Sequence, residues 1–396
     1  MDVRKVYEKY PFPAEDTTVP TDRRWVLAPM DWIGALWKPA DRTLAPKKIL
    51  VAGCGTGREA FALQRHFPRA KIVAVDFSPR SIAIARRVQK SARAMRNIRF
   101  VVADLAHPNL GKRIGRDFDF ISCHGVLSYV SEPIKVLTNL RRLLKPSGAF
   151  YLGVNGTEHH SVRGRLFLPA FSLDLVEPRE GAYLRDVLKL WDAIQAESGT
   201  RSLAKFPIGY LAGDLFGPLI RNLPLHDWTR LASKAGLRFQ ANFSCWRALR
   251  LAMEKDQARL LIPRSRAEVC QLLALASPGS FHRLLFTRRV PADPPWENDQ
   301  KLRRWRPILT KLYRVSLPKR ARSQRKLRRV TFKSGAMNTR LDWKMPEWEV
   351  EILRRSDGKR TLDEILKEIS VIVPPQLLQT QLYVLYQLLV ITLNPR

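Results

Sequence analysis

The sequence predicts an α/β fold, a parallel sheet with helices on both faces, followed by a small and mainly helical C-terminal domain. Three observations carry this. Short apolar runs alternate with helix-like segments from about Lys47 onward, the first of these runs breaks into closely spaced glycines, and residues 335–396 read as capped helices.

The predicted strands are Ile49–Val51, Ile72–Val75, Ile98–Val102, Phe118–Cys123 and Ala149–Val154, each short and rich in β-branched or aromatic residues, as strands buried on both faces are. Between the last two, "SEPIKVLTNLRRLLKPSG" reads as a complete crossover helix. Ser131 is its expected N-cap, Pro133 lies in its first turn, Val136, Leu137, Leu140, Leu143 and Leu144 form one apolar stripe, and Pro146 with Gly148 ends it. From about Thr157 to Leu223 the pattern turns irregular, with "REGAYLRDVLKLWDAIQ" its clearest amphipathic stretch. "LHDWTRLASKAGLRFQANF" then supplies a helix, a stop at Gly236 and a strand, as if the sheet resumes after an insertion at about 157–223. In the C-terminal part, Thr361 and Glu364 form a capping box after the Asp357-Gly358 turn, and Pro375 opens an apolar helix reaching about Leu389.

Composition limits the function classes. The chain has 396 residues, room for two or more cored domains, and 69 Lys+Arg against 36 Asp+Glu give a net charge of +33. That charge implies attraction to polyanions (nucleic acid, an anionic membrane or an acidic protein) without choosing among them. Residues 301–330 hold many Lys and Arg and no acid, and read either as a solvated connector or as an anion-contact surface. Cys54, Cys123, Cys245 and Cys270 show no metal-ligand spacing and read as reduced thiols of a cytoplasmic protein, Cys54 and Cys123 as small apolar fillers. No signal peptide and no membrane span is expected.

The glycines, Gly53-Cys54-Gly55-Thr56-Gly57, follow the first strand. A dinucleotide fingerprint requires a small residue where Arg58 stands, so a pyrophosphate is not the expected ligand. The alternating GxGxG suits S-adenosylmethionine (SAM), with bare backbone against its methionine part. A side chain at Gly53 or Gly55 is therefore expected to occlude the ligand before it disturbs the fold. The second strand ends in Asp76, where a carboxylate can accept from ribose hydroxyls, and Phe77 can lie on adenine. The third ends in Asp104, suited to the adenine amino group, with Leu105 beside it. The fourth places His124, Gly125 and Tyr129 at the same edge, and the fifth places Asn155 there. His124 divides evenly between a substrate-facing and a structural role. Asp119, at the opposite edge, reads as a structural cap, and His159-His160 as polar loop. Together the strand ends form a class I SAM-dependent methyltransferase signature on a Rossmann-like sheet.

On these residues, and on "YEKYPFP", "FDFISCHGVLSYV", "GYLAGDLFGPLIRN", "SPGSFHRLLFTRR" and "LRRSDGKRTLDEIL", the sequence resembles bacterial methyltransferases that carry a methyltransferase regulatory domain, a group that includes outer-membrane-protein lysine methyltransferases. The resemblance implies that YPFP forms a lid with Tyr10 at the methionine end of SAM, that His124 and Asn155 flank the methyl group, and that Asp214 lines a protein-substrate cleft. The chain departs from the group at Gly213-Asp214-Leu215, where a His-Asp-Tyr is usual, and at "NGTEHH", which replaces a Pro-Gly-aromatic continuation. Both departures fall where the acceptor should sit.

The expected organisation is a lid segment (1–45), a SAM-binding domain (46–250), a helical and basic connecting region (251–330) and a small, winged-helix-like regulatory or substrate-docking domain (331–396). The expected catalytic set is His124, Tyr129, Asn155 and Asp214. The expected cofactor set is Tyr10, Gly53, Cys54, Gly55, Gly57, Asp76, Phe77, Asp104, Leu105 and His124, with no metal. The favoured activity is methyl transfer from SAM to a protein lysine. A nucleic-acid or small-molecule acceptor, or a SAM-sensing protein with a docking module, stands beside it.

Overall fold

The computed structural model describes residues 3–13, 26–37, 45–91, 95–159, 189, 192–193, 213–214, 217, 219–254, 257–276, 279–289, 292–319, 327–335 and 339–395. Its contacts group the chain into two units. The first comprises Met1–Ala28, Ala45–Phe239 and Pro278–Arg288, and the second Pro29–Leu44, Gln240–Ser277 and Arg289–Arg396. These units cut across the four segments expected from the sequence.

A sheet of seven strands has six of them within the first unit, β1 Lys48–Ala52, β2 Lys71–Asp76, β3 Ile98–Val102, β4 Phe118–His124, β5 Leu144–Asn155 and β7 Phe281–Thr287, and β6 Arg238–Asn242 at its boundary. Their order is β3-β2-β1-β4-β5-β7-β6. Pairings among β1 to β5 are parallel, and β7 runs antiparallel to β5, from Ala149 opposite Thr287 to Asn155 opposite Phe281. This is the Rossmann-like arrangement expected from the alternating pattern, with one strand the sequence reading missed. β7 lies in "SFHRLLFTRR", inside the stretch read as a connecting region, and its pairing with β5 is set by partners more than a hundred residues away.

Apolar runs give strands here because both faces are covered: Phe118, Phe120, Phe150, Tyr151 and Phe286 are fully buried. The helix Pro133–Leu143 starts from Glu132, not from Ser131, and ends shortly before Pro146. Ser131 instead borders the cavity described below. Asp119 ties strand starts together, accepting from the backbone N–H groups of Lys47 and Lys48 and from the Lys145 ammonium. Partial burial opposes ionisation, but the Lys145 and backbone hydrogen bonds outweigh it and hold the carboxyl below its usual range. The helix Leu225–Lys234 ends before Gly236, whose φ is +80°, and fixes the end of β5 through Trp228, whose indole N–H donates to the Asn155 carbonyl at 2.8 Å. The amphipathic stretch at 179–195 lies almost wholly outside the described residues.

In the second unit, Trp32 on the helix Met30–Trp37 meets Phe243 and Trp246 edge-on at 5.4 and 4.8 Å. β9 (Arg314–Ser316), β10 (Arg328–Ser334) and β11 (Thr339–Met345) form an antiparallel sheet, and β8 (Arg306–Leu309) pairs with β12 (Ile391–Asn394). The basic stretch 301–330, read as either a solvated connector or an anion-contact surface, carries strands β8, β9 and the start of β10; residues 320–326 lie outside the described ones. The Thr361–Glu364 capping box forms at the helix Leu362–Glu368, and the helix from Pro375 runs to Gln387 before the chain turns into β12. Among the described residues no helix is long and apolar enough to cross a membrane, and no group of His, Cys, Asp and Glu is placed to hold a metal ion.

Candidate functional site

A cavity of about 800 Å³ opens in the first unit at the C-terminal ends of β1 to β5, where parallel sheets place ligands. The loop after β1 is held to β2 by the N–H groups of Gly53 and Cys54, which donate to the Val75 carbonyl at 2.8 and 2.9 Å. Gly53 and Gly55 both have positive φ and line the cavity, but the space beside them belongs to protein. A Cβ at Gly55 would lie 2.0 Å from the Phe12 carbonyl oxygen, and one at Gly53 would lie 2.2 Å from a Val126 methyl. A side chain there disturbs packing first, contrary to the expectation that it would first meet the ligand. Gly57 is not a lining residue; a Cβ on it would press on the Phe100 ring.

The close approach at Gly55 has a purpose visible in the same contacts. Thr56 donates from its N–H to Phe12 and from its hydroxyl to Pro13, at 3.2 and 3.0 Å, so the YPFP segment is clipped onto the glycine loop. The helix Val3–Lys9 precedes it. Tyr7 of this helix lines the cavity and meets Phe77 edge-on at 6.1 Å. Tyr10, the residue singled out from the motif, is not a lining residue; the Lys9 ammonium lies 5.4 Å from its ring centroid. One turn of helix separates the two tyrosines, and the motif did not show which of them faces inward.

Asp76 is buried at the end of β2. One carboxylate oxygen accepts from the Gly55 N–H at 2.8 Å and the other from the Ser78 N–H at 3.0 Å, and burial nevertheless raises its pKa. Asp104 accepts from the Ala106 N–H and forms an ion pair with Arg4, whose guanidinium also lies 6.0 Å from the Phe77 ring centroid. The N-terminal helix thus closes over Phe77 and Asp104. Leu105 and Cys54 are buried on the cavity wall.

At the other end, the structure brings His124, Tyr129, Asn155 and Asp214 onto one cavity. The Asn155 amide donates to the Tyr129 phenol and to the Asn222 side-chain oxygen, both at 3.2 Å. Its own side-chain oxygen is buried with no hydrogen-bond partner among the described residues. Tyr129 is hydrogen-bonded to Asp214, and burial together with this carboxylate keeps the phenol protonated. Tyr7 is held protonated in the same way, by burial first and then by Asp214 and Asp76. His124, expected to be either substrate-facing or structural, lines the cavity, and its Nδ1 lies 2.8 Å from the Tyr151 hydroxyl. That hydroxyl also lies 3.2 Å from the Leu27 carbonyl, to which it can donate while accepting from an Nδ1–H. Burial, and then the nearby Arg283, push the imidazole down to about 3, so it is neutral near pH 7.

Glu59 and His159 are among the lining residues that the sequence reading did not assign to the site. Glu59, just after the glycines, is buried; it accepts from Ser122 at 2.7 Å and burial pushes it up to about 7. His159, read as polar loop, lines the cavity near Phe281 of β7, and His160 lies outside the described residues.

The residues fit SAM. The cavity is of the size that holds such ligands, and Asp76 spends one acceptor direction per oxygen on backbone, keeping others for ribose hydroxyls. The unpartnered Asn155 oxygen marks where a further donor is required.

Residues 50–150 match the family model described as "Methyltransferase domain". The chain is 32% identical over 125 residues to uncharacterized protein RP028 of Rickettsia prowazekii, covering 31% of this chain and 48% of that one. It is 28% identical over 145 residues to a malonyl-[acyl-carrier protein] O-methyltransferase of Halalkalibacterium halodurans, covering 36% and 52%. The chain thus spans about half the length of these curated relatives. Among solved structures, PKMT2 from Rickettsia typhi in complex with AdoHcy aligns with a TM-score of 0.54 at 17% identity, over 94% of this chain and 76% of that one, which establishes a shared fold.

Proposed function

We propose that this chain, which carries a SAM-dependent methyltransferase domain of the class I fold, methylates a lysine amine of a protein. The observation that carries the acceptor assignment is the Asn155 side-chain oxygen, buried at the acceptor end without a donor. An amine brings N–H groups to it, whereas a deprotonated oxygen acceptor brings none. The motif resemblance to lysine methyltransferases points to the same acceptor.

When bound, SAM supplies an activated methyl group on a sulfonium, so the protein's work is alignment, an effect worth up to roughly 7–11 kcal/mol. Asp76, Phe77, Leu105 and the glycine loop hold the cofactor end. Asp214 draws the ammonium form of the acceptor, and Asn155 fixes the amine by accepting one N–H. The amine must be neutral to react, and neutralising a lysine of pKa about 10.4 at pH 7 costs on the order of 4–5 kcal/mol. Tyr7 and Tyr129, both kept protonated, enclose the amine without adding charge, and removal from water lowers its pKa. Neutral His124 adds no positive charge that would repel the lysine or the cofactor.

The test is incubation of the purified chain with methyl-labelled SAM and fractionated cell protein, RNA and small molecules. Label in ε-N-methyllysine after acid hydrolysis is expected, and lost with Asn155→Ala. Label confined to RNA or to small molecules overturns the lysine assignment, and SAM binding without transfer to any fraction favours a sensor.

A further inference from the structure

The second unit holds a cavity of about 690 Å³ whose walls include Met253, Met345, Val384 and Trp343. Glu349, on the helix Glu347–Arg355, also lines it. Its exposure is 2%, and one of its carboxyl oxygens is buried with no hydrogen-bond partner among the described residues. Elsewhere on the same helix, Glu351 pairs with Arg354 and Arg355, and Glu347 lies 3.6 Å from Arg328, an ion pair longer than a hydrogen bond. Glu349 makes no ion pair among the described residues.

Leaving a carboxyl without a partner inside a protein is costly, and burial here pushes it up to about 8. A cation seated in the cavity would supply the missing partner. The walls before it are thioether, aliphatic and aromatic, suited to a flexible alkyl stem. The other charged groups near it are Glu347 and Arg328, facing each other, and the cations Arg259 and Lys344, which line the cavity and are exposed. Those two cations would repel a bare ammonium in solution but pair with acidic residues beside it. The net charge of +33 favours an acidic partner in the same way.

We propose that this cavity is a docking site for a lysine side chain of a partner protein, set between acidic residues, with its ammonium on Glu349 and its stem against Met253, Met345 and Trp343. The site belongs to the second unit and does not depend on the assignment of the acceptor in the first.

The test is isothermal titration of the full chain, saturated with S-adenosylhomocysteine, with the peptide acetyl-Glu-Lys-Glu-amide. The control peptide has norleucine for lysine, and a third arm uses n-hexylammonium chloride. Saturable binding of the lysine peptide is expected, weakened by roughly tenfold or more in the norleucine peptide and in Glu349→Gln, the loss that follows removal of a hydrogen bond to a charged group. Leu377→Trp, a change at an exposed lining residue, should block the site if Glu349→Gln fails to fold. Equal affinity for the two peptides, or unchanged affinity in both variants, overturns the proposal. Binding of hexylammonium but not of the lysine peptide reassigns the cavity to a free amine and overturns the protein-docking part.

Discussion

Replacing Glu59 by Gln should change how stability depends on pH, because a buried carboxylic acid and a buried amide differ only once the acid must ionise. Glu59 accepts the Ser122 hydroxyl in a buried setting, and its ionisation moves from an ordinary 4.5 to about 7 on folding. A folded-state pKa raised above the unfolded value gives stability that is full below about 4.5 and falls as pH rises through about 7. At about 1.4 kcal/mol per pH unit, that interval is worth roughly 3 kcal/mol. The Gln side chain keeps an acceptor for Ser122 and never ionises. Urea denaturation of both proteins without cofactor should therefore give similar unfolding free energies at pH 4.5 and a variant about 3 kcal/mol more stable, relative to wild type, at pH 8. His124, lowered to about 3, favours folding above about 6.5 and loses that contribution as pH falls, but it does so equally in both proteins and cancels in the difference. A difference between the two proteins that is constant from pH 4.5 to 8 would refute the assignment of Glu59 as a desolvated acid.

Gly53→Ala should destabilise the first unit by about 1–2 kcal/mol from its left-handed backbone alone, and Val126→Ala in the same chain should restore part of the remaining loss, read as melting temperature. Asp76→Ala removes acceptors for Gly55 and Ser78 and should weaken SAM binding about a hundredfold in titration calorimetry; unchanged affinity would remove Asp76 from the cofactor site. Arg4→Ala breaks an exposed ion pair and should cost less than about 1 kcal/mol of stability, while raising the SAM dissociation rate measured by stopped flow. If the acceptor is a lysine, the single-turnover rate should rise about tenfold per pH unit between pH 6 and 8, following the neutral amine, and a flat profile would exclude that acceptor.

The sequence by itself located the first five strands and the residues just past their ends. Alternation of apolar runs with capped helices is local, and the residues just past each strand, Asp76, Asp104, His124 and Asn155, fall at one edge because parallel strands share a direction. Tertiary structure decided what depends on distant partners. It showed Tyr7 lining the cavity where the motif had suggested Tyr10, and it showed that Gly55 is bare to admit the Phe12 carbonyl. It also placed β7 beside β5 and built strands from a basic stretch that had read as either a connector or an anion-contact surface. The physical reason is the same in each case. Periodicity records which side of an element is buried, whereas the neighbour that fills the space beside a glycine, or leaves Glu349 without a partner, is chosen by chain far away in sequence.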